Sequence, residues 1–164
     1  MRTAARIDKN QVARAKDGMM KLQDIFTKKE EKPEGITAQQ AKTAAAWWTD
    51  QIRTPSFDNG DDSESGSMGM ILGVMLADKQ KPDAGKYDEF EAALCEAIKG
   101  EHPRLWLDVD YHPGGILAEV AQSVGIAGSQ FPWKTSTWFR DGGVQVSKGY
   151  HGEVEDIPLV ELAE

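Results

Sequence analysis

The chain has little cysteine, little basic charge after its first third, and no long hydrophobic run. Cys95 is the only cysteine among 164 residues, so neither an internal disulfide nor a paired-cysteine metal site is possible. The longest apolar candidate, Met68 to Ala77, is broken by glycines and falls well short of the ~20 residues a membrane span requires. The opening residues MRTAARIDKN are polar and lack the apolar centre of a secretory signal. Together these absences predict a cytoplasmic protein that does not enter a membrane.

The shortage of basic charge is local. Residues 1–54 hold 11 Lys and Arg against 7 Asp and Glu, a net of +4; residues 55–164 hold 8 against 20, a net of −12. A general nucleic-acid binder normally presents a basic surface. The larger part of this chain would repel phosphates and attract basic surfaces instead. No direct nucleic-acid binding is therefore expected, and a protein partner with a basic surface is.

What is present suits one α+β domain spanning residues 1–164. A helical part is expected over about 9–99, a strand-bearing part over about 104–150, and an acidic tail over 151–164. The apolar share of 40% and the five tryptophans supply core material. Val12, Ala15, Met19, Leu22 and Phe26 recur at helical spacing and predict a helix from about Lys9 to Phe26. Thr37 with Gln40 three residues later forms a capping-box signature. The helix it opens is predicted to reach Arg53, with Ala41, Ala45, Trp48 and Ile52 on one face and Trp47 beside it.

A turn-rich acidic loop, TPSFDNGDDSESGS, comes next. A helix is then expected from Met68 to Lys79 with Ile71, Leu72, Met75 and Leu76 inward. Gly69 and Gly73 each cost it about 1 kcal/mol relative to alanine, and close approach of another backbone is their expected compensation. Pro82 and Asp83 open a further helix to about Lys99, burying Tyr87, Phe90, Leu94 and Ile98.

Beyond Gly100 the period changes to two. Leu105 to Tyr111 reads as a strand with Leu105, Leu107, Val109 and Tyr111 on one face and Trp106, Asp108 and Asp110 on the other. A helix from Ile116 to Val124 ends at Gly125. Lys134–Arg140 and Val144–Tyr150 are strands joined at Asp141-Gly142-Gly143, a hairpin signal. The module reads β-α-β-β, a small antiparallel sheet with one face covered by the N-terminal helices.

Several clusters are candidates for chemistry. Asp108, Asp110 and His112 alternate, and on an extended strand alternate side chains point the same way. Two carboxylates and an imidazole suit a divalent metal or an acid/base pair, which would make the chain a metal-dependent hydrolase. His151 and Glu155 become further ligands only if the tail folds back. The plainer expectation is that these carboxylates face solvent or pair with Lys134, Arg140 or Lys148. No other cofactor is implied, and the balance leans away from an enzyme. Asp58, Asp61, Asp62 and Glu64 suggest calcium, but their spacing is not that of an EF-hand, so a solvated, mobile loop is the better reading, with these carboxylates as candidates for binding a basic surface. Pro113-Gly114-Gly115 reads as a tight turn rather than a phosphate cradle. Cys95 and the serines lie in no nucleophile motif. Trp133, Lys134, Trp138 and Tyr150 form an aromatic and basic group of the kind found at binding surfaces, one that would also suit a nucleotide-like ligand.

The segments WWTDQIR, FDNGD, LDVDYHPGGIL and FPWKTSTWF resemble a group of small proteins of unassigned function encoded by phages and mobile elements. The resemblance runs from about Ala44 to Glu155. It brings no catalytic residues with it. It implies an accessory protein that binds a host machine, an inhibitor of a defence complex in the manner of an anti-CRISPR protein, whose acidic surface competes with nucleic acid.

Overall fold

The computed structural model describes residues 35–57, 64–149 and 151–162. The helix expected over Lys9–Phe26, residues 58–63 of the acidic loop and Tyr150 lie outside the described residues. Residues 33–164 group into one compact unit.

Helix α1 (Ala38–Arg53) starts where its capping residues require. The Thr37 hydroxyl accepts from the Gln40 backbone N–H at 3.2 Å, and the Gln40 Oε1 accepts from the Thr37 N–H at 3.0 Å. Two backbone donors with no intrahelical partner are thereby satisfied. The other end of the same Gln40 amide donates to the Gly143 carbonyl at 3.0 Å, fixing the helix start to the sheet. Ala41, Ala45, Trp48 and Ile52 are buried as their spacing predicts. Trp47 sits half-buried at the edge of the core, its ring edge-on to Trp48.

Helix α2 (Glu64–Lys79) begins four residues earlier than the hydrophobic pattern suggests, and its orientation is the reverse of that expected. Ile71, Leu72, Met75 and Leu76 are exposed, not inward. The inner face includes the buried Gly66, Gly73 and Ala77, with Gly69 half-buried beside them. A Cβ on Gly73 would stand 2.9 Å from the Phe57 ring and 3.2 Å from that of Trp133. The glycines do admit a close approach, but of aromatic rings rather than of another backbone. The Gln130 side chain donates to the Ala77 carbonyl at 2.6 Å and fastens the end of the helix.

Helix α3 (Ala84–Ile98) buries Tyr87, Phe90, Leu94 and Ile98 and packs along α1. Strand β1 (Trp106–Val109) leads through a tight turn to helix α4 (Gly115–Val124). Gly125 closes α4 in the left-handed conformation, φ 77°, which spares a side chain the steric cost. A short 3-10 turn at Gly128–Gln130 precedes β2 (Thr135–Arg140), β3 (Gly143–Lys148) and β4 (Val154–Ile157). Asp141 and Gly142 both have positive φ, as a two-residue hairpin turn of the favoured hand requires.

The four strands form one antiparallel sheet in the order β1-β2-β3-β4. The strands are shorter than the alternation suggests. Leu105, Asp110, Tyr111, Lys134 and Gly149 fall outside the ladder. Leu107, Val109, Phe139 and Val144 point into a core shared with α1, α3 and α4. The opposite sheet face is open. The acidic tail supplies edge strand β4 and then docks on α1, where the Val160 N–H donates to the Thr43 hydroxyl at 3.0 Å. Among the described residues no helix is long and apolar enough to cross a membrane.

Candidate binding site

The antiparallel register decides which side chains meet on the open sheet face. Trp106 on β1 stands opposite Trp138 on β2, Trp138 opposite Gln145 on β3, and Gln145 opposite Asp156 on β4. One row of four side chains therefore crosses the sheet, with neighbours at the spacing that favours contact. The tryptophan ring centroids are 5.5 Å apart with planes inclined by 37°. The Trp138 indole N–H donates to the Gln145 Oε1 at 2.8 Å, and the Gln145 amide donates to Asp156 at 2.9 Å. This chain of bonds fixes the Trp138 ring and leaves Trp106, 61% exposed, resting against it.

A groove of about 510 Å³ opens beside the pair, walled by Arg104, Trp106, Trp138, Arg140, Gln145 and Val154. That volume lies in the range of small-ligand sites. Arg104 and Arg140 take part in none of the ion pairs among the described residues. On this face β4 contributes Val154, which lines the groove, and Asp156 at the end of the row; Glu155 pairs with core-facing Val146 and stands on the other face of the sheet. The site thus combines an aromatic centre, two guanidinium groups and, at the end of the row, the single carboxylate of Asp156.

The sequence-predicted residues divide between this site and others. Trp138 belongs to the row. Trp133 does not: its ring lies between Phe57, 5.4 Å away, and Tyr111, 5.3 Å away, beneath the glycine face of α2. It is a packing residue, because the chain leaves the sheet at Lys134, whose φ is 53°. The Lys134 ammonium caps the Tyr111 ring at 4.3 Å and forms an ion pair with Asp110. Trp106, which the alternation places on the outward face without marking it as a binding residue, is the one missed. Its signal is an exposed aromatic on a strand, and only the register reveals its partner.

Asp108, Asp110 and His112 are not gathered into a metal centre. Strand β1 stops at Val109, where a bridge to Pro113 and a bond from the Gly114 N–H to the Asp108 carbonyl turn the chain back. The alternation that would aim the three groups together ends there, and Asp110 is engaged by Lys134. Among the described residues no three His, Cys, Asp or Glu side chains stand close enough to hold an ion. His151 and Glu155 are both exposed. Asp58, Asp61, Asp62 and Tyr150 lie outside the described residues, as does the side chain of Glu64.

Cys95 is half-buried on α3. Burial, reinforced by Glu96 and Glu91, pushes its thiol above the usual range despite the opposing effect of Lys99 and Lys42. A thiol held protonated in this way is a poor nucleophile.

No protein-family model matches this chain, and no curated protein sequence matches it.

Proposed function

We propose that this chain works by binding a protein partner rather than by turning over a substrate. The partner we propose is a host defence complex, whose basic nucleic-acid surface the acidic surface of this chain occupies. The observation that carries the reading is the pair of Trp106, 61% exposed, and half-buried Trp138, in a row that ends at Asp156 on β4. Tryptophan and arginine dominate the energetics of protein interfaces. An exposed indole on an acidic chain also suits partner lysine and arginine side chains, which gain from the ring face and from the net negative charge. The resemblance to accessory proteins of mobile elements and the net charge of −12 over residues 55–164 point the same way.

The test is capture of partners from a host lysate by the full chain and by Trp106→Ala. The intact chain is expected to retain a nucleic-acid-handling complex, with affinity falling steeply as salt rises. Trp106→Ala is expected to weaken retention at least tenfold, while Asp108→Ala retains it. Equal capture by the intact chain and Trp106→Ala would sink the proposal.

A second reading rests on Arg104 and Arg140. Two guanidinium groups beside a tryptophan pair also suit a planar anionic ligand of the nucleotide class. It predicts that nucleotides raise the melting temperature of the intact chain but not of Arg140→Ala.

A further inference from the structure

Among the described residues, nothing covers a continuous apolar face of helix α2. Met68, Ile71, Leu72, Val74, Met75 and Leu76 are each at least 50% exposed. No charged residue occurs from Ser65 to Ala77. The orientation is held by the seat beneath it. Only Gly73 fits against Phe57 and Trp133, and the Gln130 bond to Ala77 fastens the C-terminal end. Turning the apolar face inward would drive large side chains into those rings.

Six half-exposed aliphatic side chains present on the order of 500 Å² of apolar surface, the upper end of what a monomer leaves uncovered. Two such faces pressed together bury about 1,000 Å² before any flanking residue is counted, the threshold for a specific interface. The composition favours a second copy of this chain over an unlike partner. Interfaces between identical chains are more apolar than those between transient partners, and this face offers no charge to select one. It is also self-complementary. Met68 and Met75 lie equally far on either side of a centre between Ile71 and Leu72. A two-fold axis at that centre sets Met68 of one copy against Met75 of the other. An antiparallel pair opposes the helix dipoles and brings the Glu64 end of one helix to the Lys79 end of its mate.

We propose that α2 is the interface of a homodimer, its two copies packed antiparallel through Met68, Ile71, Leu72 and Met75. The inference is independent of the groove's role, and Trp106→Ala leaves the dimer intact. Light scattering and sedimentation of the full chain are expected to show a dimer at tens of micromolar. Met75→Glu sets a carboxylate in the apolar contact and is expected to weaken dimerisation by about 100-fold or more. Circular dichroism checks that this variant stays folded. In a Cys95→Ser background, Leu72→Cys lies next to the axis and is expected to form a covalent dimer on mild oxidation, while Asp83→Cys does not. A chain monomeric at every concentration, or a dimer unmoved by Met75→Glu, overturns the proposal.

Discussion

Thr135 and Thr137 are two residues apart on β2, face the same core and are almost wholly buried, at 1% and 0% exposure. They differ in one atom's surroundings. The Thr135 hydroxyl donates to the Trp133 carbonyl at 3.0 Å. The Thr137 hydroxyl has no partner. An unsatisfied buried hydroxyl costs about 1–3 kcal/mol, and valine has nearly the same shape and suits a strand. Thr137→Val is therefore expected to stabilise the fold by about 1–2 kcal/mol. For a chain of this size that raises the melting temperature by roughly 3–6 °C. Thr135→Val removes a formed bond and orphans a carbonyl, so it is expected to cost about 1 kcal/mol. Guanidinium unfolding followed by circular dichroism reads both as midpoint shifts at constant slope. Because the two changes are chemically identical, opposite signs cannot come from hydrophobicity or strand propensity. A loss of stability in Thr137→Val equal to that in Thr135→Val would refute the assignment of an unpaired hydroxyl.

The same unfolding assay tests the seat of α2. Gly73→Ala gains helix propensity but forces its methyl to within 2.9 Å of Phe57, so a net loss of about 1–3 kcal/mol is expected. Gly69→Ala, whose methyl would meet only Trp133 at 3.7 Å, is expected to be neutral or to gain up to about 1 kcal/mol. Tyr87 is buried without a partner for its hydroxyl, and burial raises its pKa against the opposing effect of Arg53. Its folded pKa exceeds the unfolded one, so its contribution is complete below the ordinary tyrosine range and is lost as pH rises through the folded value. Tyr87→Phe removes another unpaired buried hydroxyl, so it is expected to stabilise the fold by about 1 kcal/mol at neutral pH and to blunt alkaline unfolding. Identical alkaline profiles for the two proteins would count against that cause.

The parts legible in the sequence are those decided locally. Thr37 and Gln40 mark the start of α1 because a capping box involves residues three apart. Asp141-Gly142-Gly143 marks its hairpin because the turn demands positive φ. The reversal of α2 was not legible. Period 3.6 identifies an apolar stripe but not whether that stripe or the small-residue side meets the core. Here Phe57 and Trp133, 76 positions apart in the chain, converge on Gly73 and decide it. The groove fails to appear for a related reason. Period two puts Trp106 and Trp138 on outward faces, yet their contact depends on the β1–β2 register across an intervening helix. At Asp108–His112 the alternation stops at Val109, where the chain turns, and Asp110 pairs with Lys134, one of the partners the plainer expectation names.

The two open surfaces respond to salt in opposite directions, which separates their roles in one series of measurements. Residues 55–164 carry a net −12, so two copies approaching through α2 repel one another while the contact itself is apolar. Screening removes the repulsion and leaves hydrophobic burial intact, since the Debye length falls from about 10 Å at 0.1 M to about 3 Å at 1 M. Dimerisation through α2 therefore strengthens as salt rises. Binding of the proposed basic partner at the open sheet face is expected to weaken over the same range, because attraction between unlike charges would drive it. If one surface served both purposes, partner binding and self-association would compete and share one salt dependence. If both proposals hold, two surfaces on separate elements, α2 and the open sheet face, would let a dimer present two tryptophan-anchored sites at once, and a partner with repeated basic surfaces would be held by both.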